Sequence, residues 1–178
     1  MTSIFTNKPA DFFLILAFVL LMPLSGSTQN IGIGADAIYN FQTESIGAGA
    51  RVSIYPNHRL SIVPQFSYFF AFNKVNEYYA GLALEYKFII RDKVHFYALA
   101  HGAYDNWINY AKSPMKDAKP NNFDLEGGVG VSTNGCLRPF LEFRYNARFR
   151  ESNLHLGILY IFGCNNRSRR DRCDAYNS

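Results

Sequence analysis

Two sets of side chains in this 178-residue chain have the types needed for covalent chemistry: His155 with Ser152 and Glu142, and His101 with Asp105. A hydroxyl, an imidazole and a carboxylate in contact can activate a nucleophile for acyl transfer or ester hydrolysis, provided geometry brings them together. Neither set offers a His-x-Ser pair on one strand face. Both histidines read more simply as interior residues satisfied by neighbouring ions. The cysteines, Cys136, Cys164 and Cys173, have no histidines at metal-ligand spacing, so their expected chemistry is that of disulfides. Nothing in the sequence calls for a cofactor.

The other chemistry on offer is ionic. In "LEFRYNARFR" (141–150), Glu142, Arg144, Asn146, Arg148 and Arg150 alternate with Leu141, Phe143, Tyr145, Ala147 and Phe149. Strict alternation is a strand signal, because successive side chains on a strand point to opposite faces. Seven more stretches repeat it: 31–41, 46–55, 59–72, 78–88, 94–104, 123–133 and 154–163. Between them stand short runs of turn residues, "QTES", "PNH", "NKVNE", "RDK", "TNG" and "ESN". One connection is long, Asp105 to Asn122, with Pro114 and Pro120. Helical periodicity is absent, and the expected class is all-β.

The ends have other characters. Lys8, the apolar run "FFLILAFVLLMPL" (12–24) and the small residues Ser25, Gly26 and Ser27 follow the order of a secretory signal. Residues 1–28 are therefore expected to be a signal peptide, 30–163 a single domain, and 164–178 a basic tail with two cysteines. The net charge is +4, and four arginines, Arg167, Arg169, Arg170 and Arg172, lie in that tail. The body is close to neutral, which speaks against nucleic acid as a partner. Export places the cysteines where disulfides form.

The two faces of the strands differ. One collects Asp36, Arg51, Glu85, Lys87, Asp124, Glu126, Glu142, Arg144 and Arg148, nearly balanced in sign and interleaved with glycines. The other is almost free of charge. Its aromatics gather toward strand ends: Tyr39, Phe41, Phe70, Phe72, Tyr78 and Phe149 at one end, Phe88, Tyr160 and Phe162 at the other. Two aromatic girdles around an apolar band are what a lipid bilayer selects. A sheet in hydrocarbon must close, because nothing there satisfies an open edge. The expectation is an eight-stranded antiparallel up-and-down transmembrane barrel, with the nine charged residues as an ion network filling the lumen. Pro64, inside the third strand, predicts a bulge.

This pattern, including the final "LHLGILYIF", resembles the small eight-stranded OmpA/OmpX-type outer-membrane barrels of Gram-negative bacteria. The resemblance implies the outer membrane, lipid as surroundings, long connections outside the cell and tight turns in the periplasm. The chain departs from it by continuing sixteen residues past Phe162. With alternating turns, Cys136 and Cys164 meet at the periplasmic rim with Cys173 nearby. A disulfide from Cys136 to Cys164 or Cys173 is expected, with a Cys164–Cys173 loop as the alternative. The tail arginines would then contact peptidoglycan or a protein partner of the periplasm or outer membrane, unless they are simply solvated. The expected role is structural or interactive and non-enzymatic. Two alternatives compete: a lipid A acyltransferase or deacylase, and a soluble exported lipocalin-like barrel with its apolar face inward.

Overall fold

The computed structural model of the chain describes residues 31–70, 76–108 and 120–164. These form eight strands: β1 (Ile31–Asn40), β2 (Ser45–Ile54), β3 (Leu60–Phe70), β4 (Asn76–Ile90), β5 (Val94–Ile108), β6 (Asn121–Thr133), β7 (Leu137–Asn146) and β8 (Glu151–Ile161). Each pairs antiparallel with the next, and β1 pairs with β8, so the sheet closes into a barrel. Closure leaves no edge. At the seam the ladder runs from Gly32↔Ile161 to Asn40↔Asn153, and Phe162 N donates to Ile31 O beyond it.

The period of two decides which way the barrel faces. In β1 and β7 burial alternates strictly, with Asp36 and Ile38 inside and Ala35 and Ala37 outside, or Glu142 and Arg144 inside and Leu141 and Phe143 outside. The charged face is the lumen. The exposed face carries Ile33, Val52, Phe66, Leu82, Leu84, Leu125, Val129, Leu156 and Ile158. A soluble barrel enclosing an apolar ligand needs the opposite arrangement, so the lipocalin-like alternative does not hold.

Three expectations are corrected. Pro64 causes no bulge: β3 pairs β4 in unbroken register through Pro64↔Leu82. On the other side, pairing to β2 lapses after Arg51↔Gln65 and resumes in the same register at Ile54↔Ile62. A proline removes one N–H but need not add a residue, so the ladder skips a rung without slipping. The register shift lies instead in β4, between Lys87 and Ile89. The seventh strand spans 137–146 rather than 141–150, and the turn is 147–150, with Glu151, Ser152 and Asn153 already in β8. Asn146 makes that turn, its Oδ1 accepting from the backbone N–H groups of Arg148 (2.9 Å) and Phe149 (3.2 Å). Arg150 completes it with φ of 57°. Asn40 and Glu44 (φ 50°) build the β1–β2 turn in the same way. Finally, the long connection is shorter than 105–122, because Asp105 and Asn122 pair with each other inside the β5–β6 ladder.

The barrel thus has two ends. The turns β2–β3, β4–β5 and β6–β7 share one with the finish of β8, where Cys136 and Cys164 form a disulfide. The turns β1–β2 and β7–β8 lie at the far end. The signal segment 1–28, the tail arginines and Cys173 lie outside the described residues, as does Phe72.

Candidate functional site

The lumen is stratified along the barrel axis. Nearest the disulfide, Tyr55, Phe140, Leu159 and Ile161 form an apolar plug against which Cys164 packs. Cations border it: Lys87 Nζ lies 4.4 Å from the Tyr55 ring centroid and the Arg138 guanidinium 5.5 Å from it, distances at which a cation is attracted by the ring face. Burial pushes the Tyr55 phenol up to about 12, so it packs here as a neutral group.

Above the plug lies the ion network. Glu142, wholly buried, is its hub. Arg51 grips both of its carboxylate oxygens, with Nη2 donating to Oε2 at 3.2 Å. Arg144 binds it through Nε at 2.9 Å and also through Nη2. Tyr97 Oη donates to Oε1 at 2.8 Å. Arg51 also faces Asp36 at 3.5 Å and Glu85 at 3.7 Å, and its guanidinium lies 4.1 Å over the Phe140 ring. Arg51, Glu142 and Arg144 tolerate burial because each is paired with opposite charge and hydrogen-bonded more than once, although Arg51 Nε and Arg144 Nη1 make no hydrogen bond.

The histidines complete the network, and donor logic fixes one of them. Arg144 Nη2 donates to Gln65 Oε1 at 3.1 Å. Arginine cannot accept, so the Gln65 oxygen is oriented and its NH₂ must point at His101 Nε2, 2.8 Å away. His101 Nε2 therefore accepts, and Nδ1–H donates to Glu126 Oε2 at 2.8 Å. His155 Nδ1 sits 2.7 Å from Asp36 Oδ2.

Small residues make the room. A Cβ at Gly49 would stand 2.8 Å from Asp36 Oδ1, and one at Gly130 would run into the Tyr97 ring. The cavity left among Gln65, His101, Glu126, Arg144, Asn153 and His155 is about 10 Å³, room for one water molecule and not for a solute.

The structure places the expected residues as follows. Asp36, Arg51, Glu85, Glu126, Glu142 and Arg144 come together in the middle, and Lys87 lies at the plug. Asp124 is inside but apart from the network, toward the far end. Arg148 is not in the lumen. It sits exposed on the β7–β8 turn, where its Nη1 donates to Phe123 O at 2.9 Å, because the chain leaves the sheet at Ala147. Sequence reasoning missed Arg138, Glu77, Asp105 and Glu151 as lumen ions. Each lies where the alternation runs beyond the expected end of a strand, so extending the period was the signal for all four.

The two candidate catalytic sets are not assembled. His155 points inward and Ser152 outward, where the hydroxyl meets Gln42 Nε2 at 3.5 Å. Glu142 is consumed by two arginines. His101 and Asp105 share the lumen face of β5, four residues apart, which on a strand is about 13 Å.

Neither a protein-family model nor the sequence of a curated protein matches this chain. Solved structures do. The N-terminal β-barrel domain of Pseudomonas aeruginosa OprF superposes with a TM-score of 0.56 at 16% identity, covering 74% of this chain and 97% of that one. Its fold is that of the small outer-membrane barrels. Neisserial surface protein A (NspA) aligns with a TM-score of 0.51 at 16% identity, over 75% of this chain and 97% of that one. A de novo designed transmembrane β-barrel gives 0.51 at 13% identity, over 76% and 97%. Identities this low speak for shared architecture, which these small barrels achieve with largely different sequences.

Proposed function

We propose that this protein is a structural or interaction component of the Gram-negative outer membrane, neither a wide pore nor an enzyme. The observation that carries this reading is the pairing of an apolar outer wall with a lumen filled by the Glu142-centred ion network. The wall suits hydrocarbon. The lumen around the network is filled by side chains, and Glu142 is already held by Arg51, Arg144 and Tyr97. The turn pattern supports placing the disulfide end in the periplasm and the far end outside the cell. The Cys136–Cys164 bond fixes the chain just past the end of β8 to the rim, so the tail with the arginines at 167, 169, 170 and 172 follows an anchored point. Contact of this tail with peptidoglycan or a periplasmic or outer-membrane protein belongs to the same proposal.

The test is gel mobility of the protein from washed outer membranes, unboiled against boiled, followed by conductance in planar bilayers. A heat-dependent mobility shift without stable channel openings is expected. Recovery only in a soluble fraction would refute the membrane assignment. Steady large-conductance openings would refute the closed lumen, and altered lipid A acyl chains on expression would restore the enzymatic alternative.

A further inference from the structure

The register shift in β4 has no part in the lumen. Lys87 pairs with Tyr97 and Ile89 with Phe96, so Phe88 is an extra residue in the strand. The insertion breaks the period of two, and Phe88 and Ile89 both face outward although they are consecutive. Tyr86 lies two residues before Phe88 on the same wall, and Phe96 stands across the ladder from Ile89. These four side chains are between 40% and 49% exposed. They make an apolar ledge at the disulfide end of the barrel.

Three cations border this ledge. Arg59, exposed just before β3, donates from Nη1 to Tyr86 Oη at 3.5 Å, which lays its guanidinium along the outer wall. Arg91 and Lys93 are exposed on the β4–β5 turn, with Asp92 between them. The backbone beneath all three is tied down. Asn57 Oδ1 accepts from the N–H groups of Arg59 (3.0 Å) and Leu60 (2.7 Å), and Lys87 N donates to Arg59 O at 2.8 Å. Arg91 N donates to Val94 O at 2.9 Å and closes the turn. Asn134, on the neighbouring β6–β7 turn, donates its backbone N–H to Lys93 O at 2.9 Å and its Nδ2 to Arg91 O. Arg59 thus sits beside Lys87, and Arg91 follows four residues farther along, about 10–13 Å at the rise of a strand. Long cationic side chains on the two elements can meet one headgroup over that span.

We propose that this rim holds an anionic phospholipid, its phosphate among Arg59, Arg91 and Lys93 and its acyl chains against the ledge. The inference rests on the membrane reading above. Aromatic side chains at this level mark the interface of a bilayer. Cationic side chains there keep their stems on apolar surface while their charges reach the headgroups. Guanidinium groups suit phosphate oxygens, because the planar fork donates two parallel hydrogen bonds. The charge of the patch selects among lipids. Three cations against one carboxylate leave an excess that a zwitterionic headgroup, carrying its own ammonium, does not match. A headgroup of net negative charge does, and each cation near such a surface contributes about fivefold in affinity. The hydrogen-bonded turns fix the backbone before the lipid arrives, which lowers the ordering cost of binding.

Native mass spectrometry of the folded protein, from micelles doped equally with phosphatidylglycerol and phosphatidylcholine, reads the preference directly. Phosphatidylglycerol is expected to be retained about tenfold or more over phosphatidylcholine, with the preference shrinking as salt screens the exposed charges. Arg59→Gln combined with Arg91→Gln should abolish most of it. Arg148→Gln combined with Arg150→Gln removes the same charge from the β7–β8 turn at the far end and should leave the preference unchanged. Retained heat-dependent gel mobility confirms that each variant folds. Equal retention of the two lipids by the wild type overturns the proposal. So does an equal loss in the two double variants, since net charge and not this rim would then attract the lipid. Insertion into vesicles of phosphatidylcholine alone tests the underlying reading separately. Folding there without any lipid preference sinks only the present proposal, and failure to insert overturns both.

Discussion

At the scale of the residue, two arginines four positions apart have opposite fates. Arg144 is fully buried and binds Glu142 and Gln65. Replacing it with leucine strands Glu142 on one side and releases the oxygen that orients Gln65 toward His101. Removing one partner from a buried ion pair costs on the order of 3–5 kcal/mol, and urea unfolding of Arg144→Leu in lipid vesicles should show a loss of that size. Unchanged unfolding would place this side chain outside the lumen. Arg148→Ala, on the exposed turn, should shift the same curve by less than about 0.5 kcal/mol. Both arginines obey the alternation of "LEFRYNARFR", and the sequence alone could not separate them. The period of two continues through Arg148 although the chain has already turned at Asn146. What ends the strand is a side chain capping backbone N–H groups, which leaves no mark on the polar–apolar pattern.

At the scale of the element, strand number and the facing of seven strands were legible from the period that every strand must obey against lipid, and the facing of β5, largely apolar on both sides, only from His101. Strand length was not. β4 and β5 each run fifteen residues, more than the roughly 9–11 that cross a bilayer. Their extensions carry Glu77, Asp105 and Trp107, where hydrogen bonding between neighbours continues after hydrophobic alternation has become weak. Pro64 shows the converse error, since its local handicap is absorbed by a skipped rung and the rest of the ladder holds the register. The disulfide was legible as a set of pairings, with the choice between Cys136 and the tail left to three-dimensional position. It closes a segment of 28 residues spanning β7 and β8. On the chain-entropy account a loop of this size stabilises by about 3.6 kcal/mol. Paired Cys136→Ser and Cys164→Ser substitutions should therefore lower unfolding stability by about 2–4 kcal/mol while preserving the heat-dependent gel shift, because the β1–β8 seam closes the barrel without them. Loss of the shift would mean that the rim bond, and not the seam, holds the cylinder shut.

At the scale of the molecule, one substitution separates a membrane wall from a soluble surface. Leu82 faces outward near the middle of β4, 48% exposed, with Pro64 and Gly102 as its cross-strand neighbours. If hydrocarbon covers this face, an arginine here must be carried to the bilayer midplane, at a cost of about 2–4 kcal/mol. The same change at Phe88, six residues along the strand beside the disulfide-end girdle, reaches the interface and should cost about 0–1 kcal/mol. The depth dependence is the diagnostic. On a soluble protein both sites are water-facing, and a charge at either would stay within about 0.5 kcal/mol. Equilibrium folding of Leu82→Arg and Phe88→Arg into vesicles should therefore give a difference of roughly 2–3 kcal/mol between two equally exposed positions on one strand. Equal values would remove lipid from the account, leaving the apolar wall to be covered by protein. The outcome bears on the lumen too, since a bilayer closes off the lateral route by which water could reach Glu142 and Arg144.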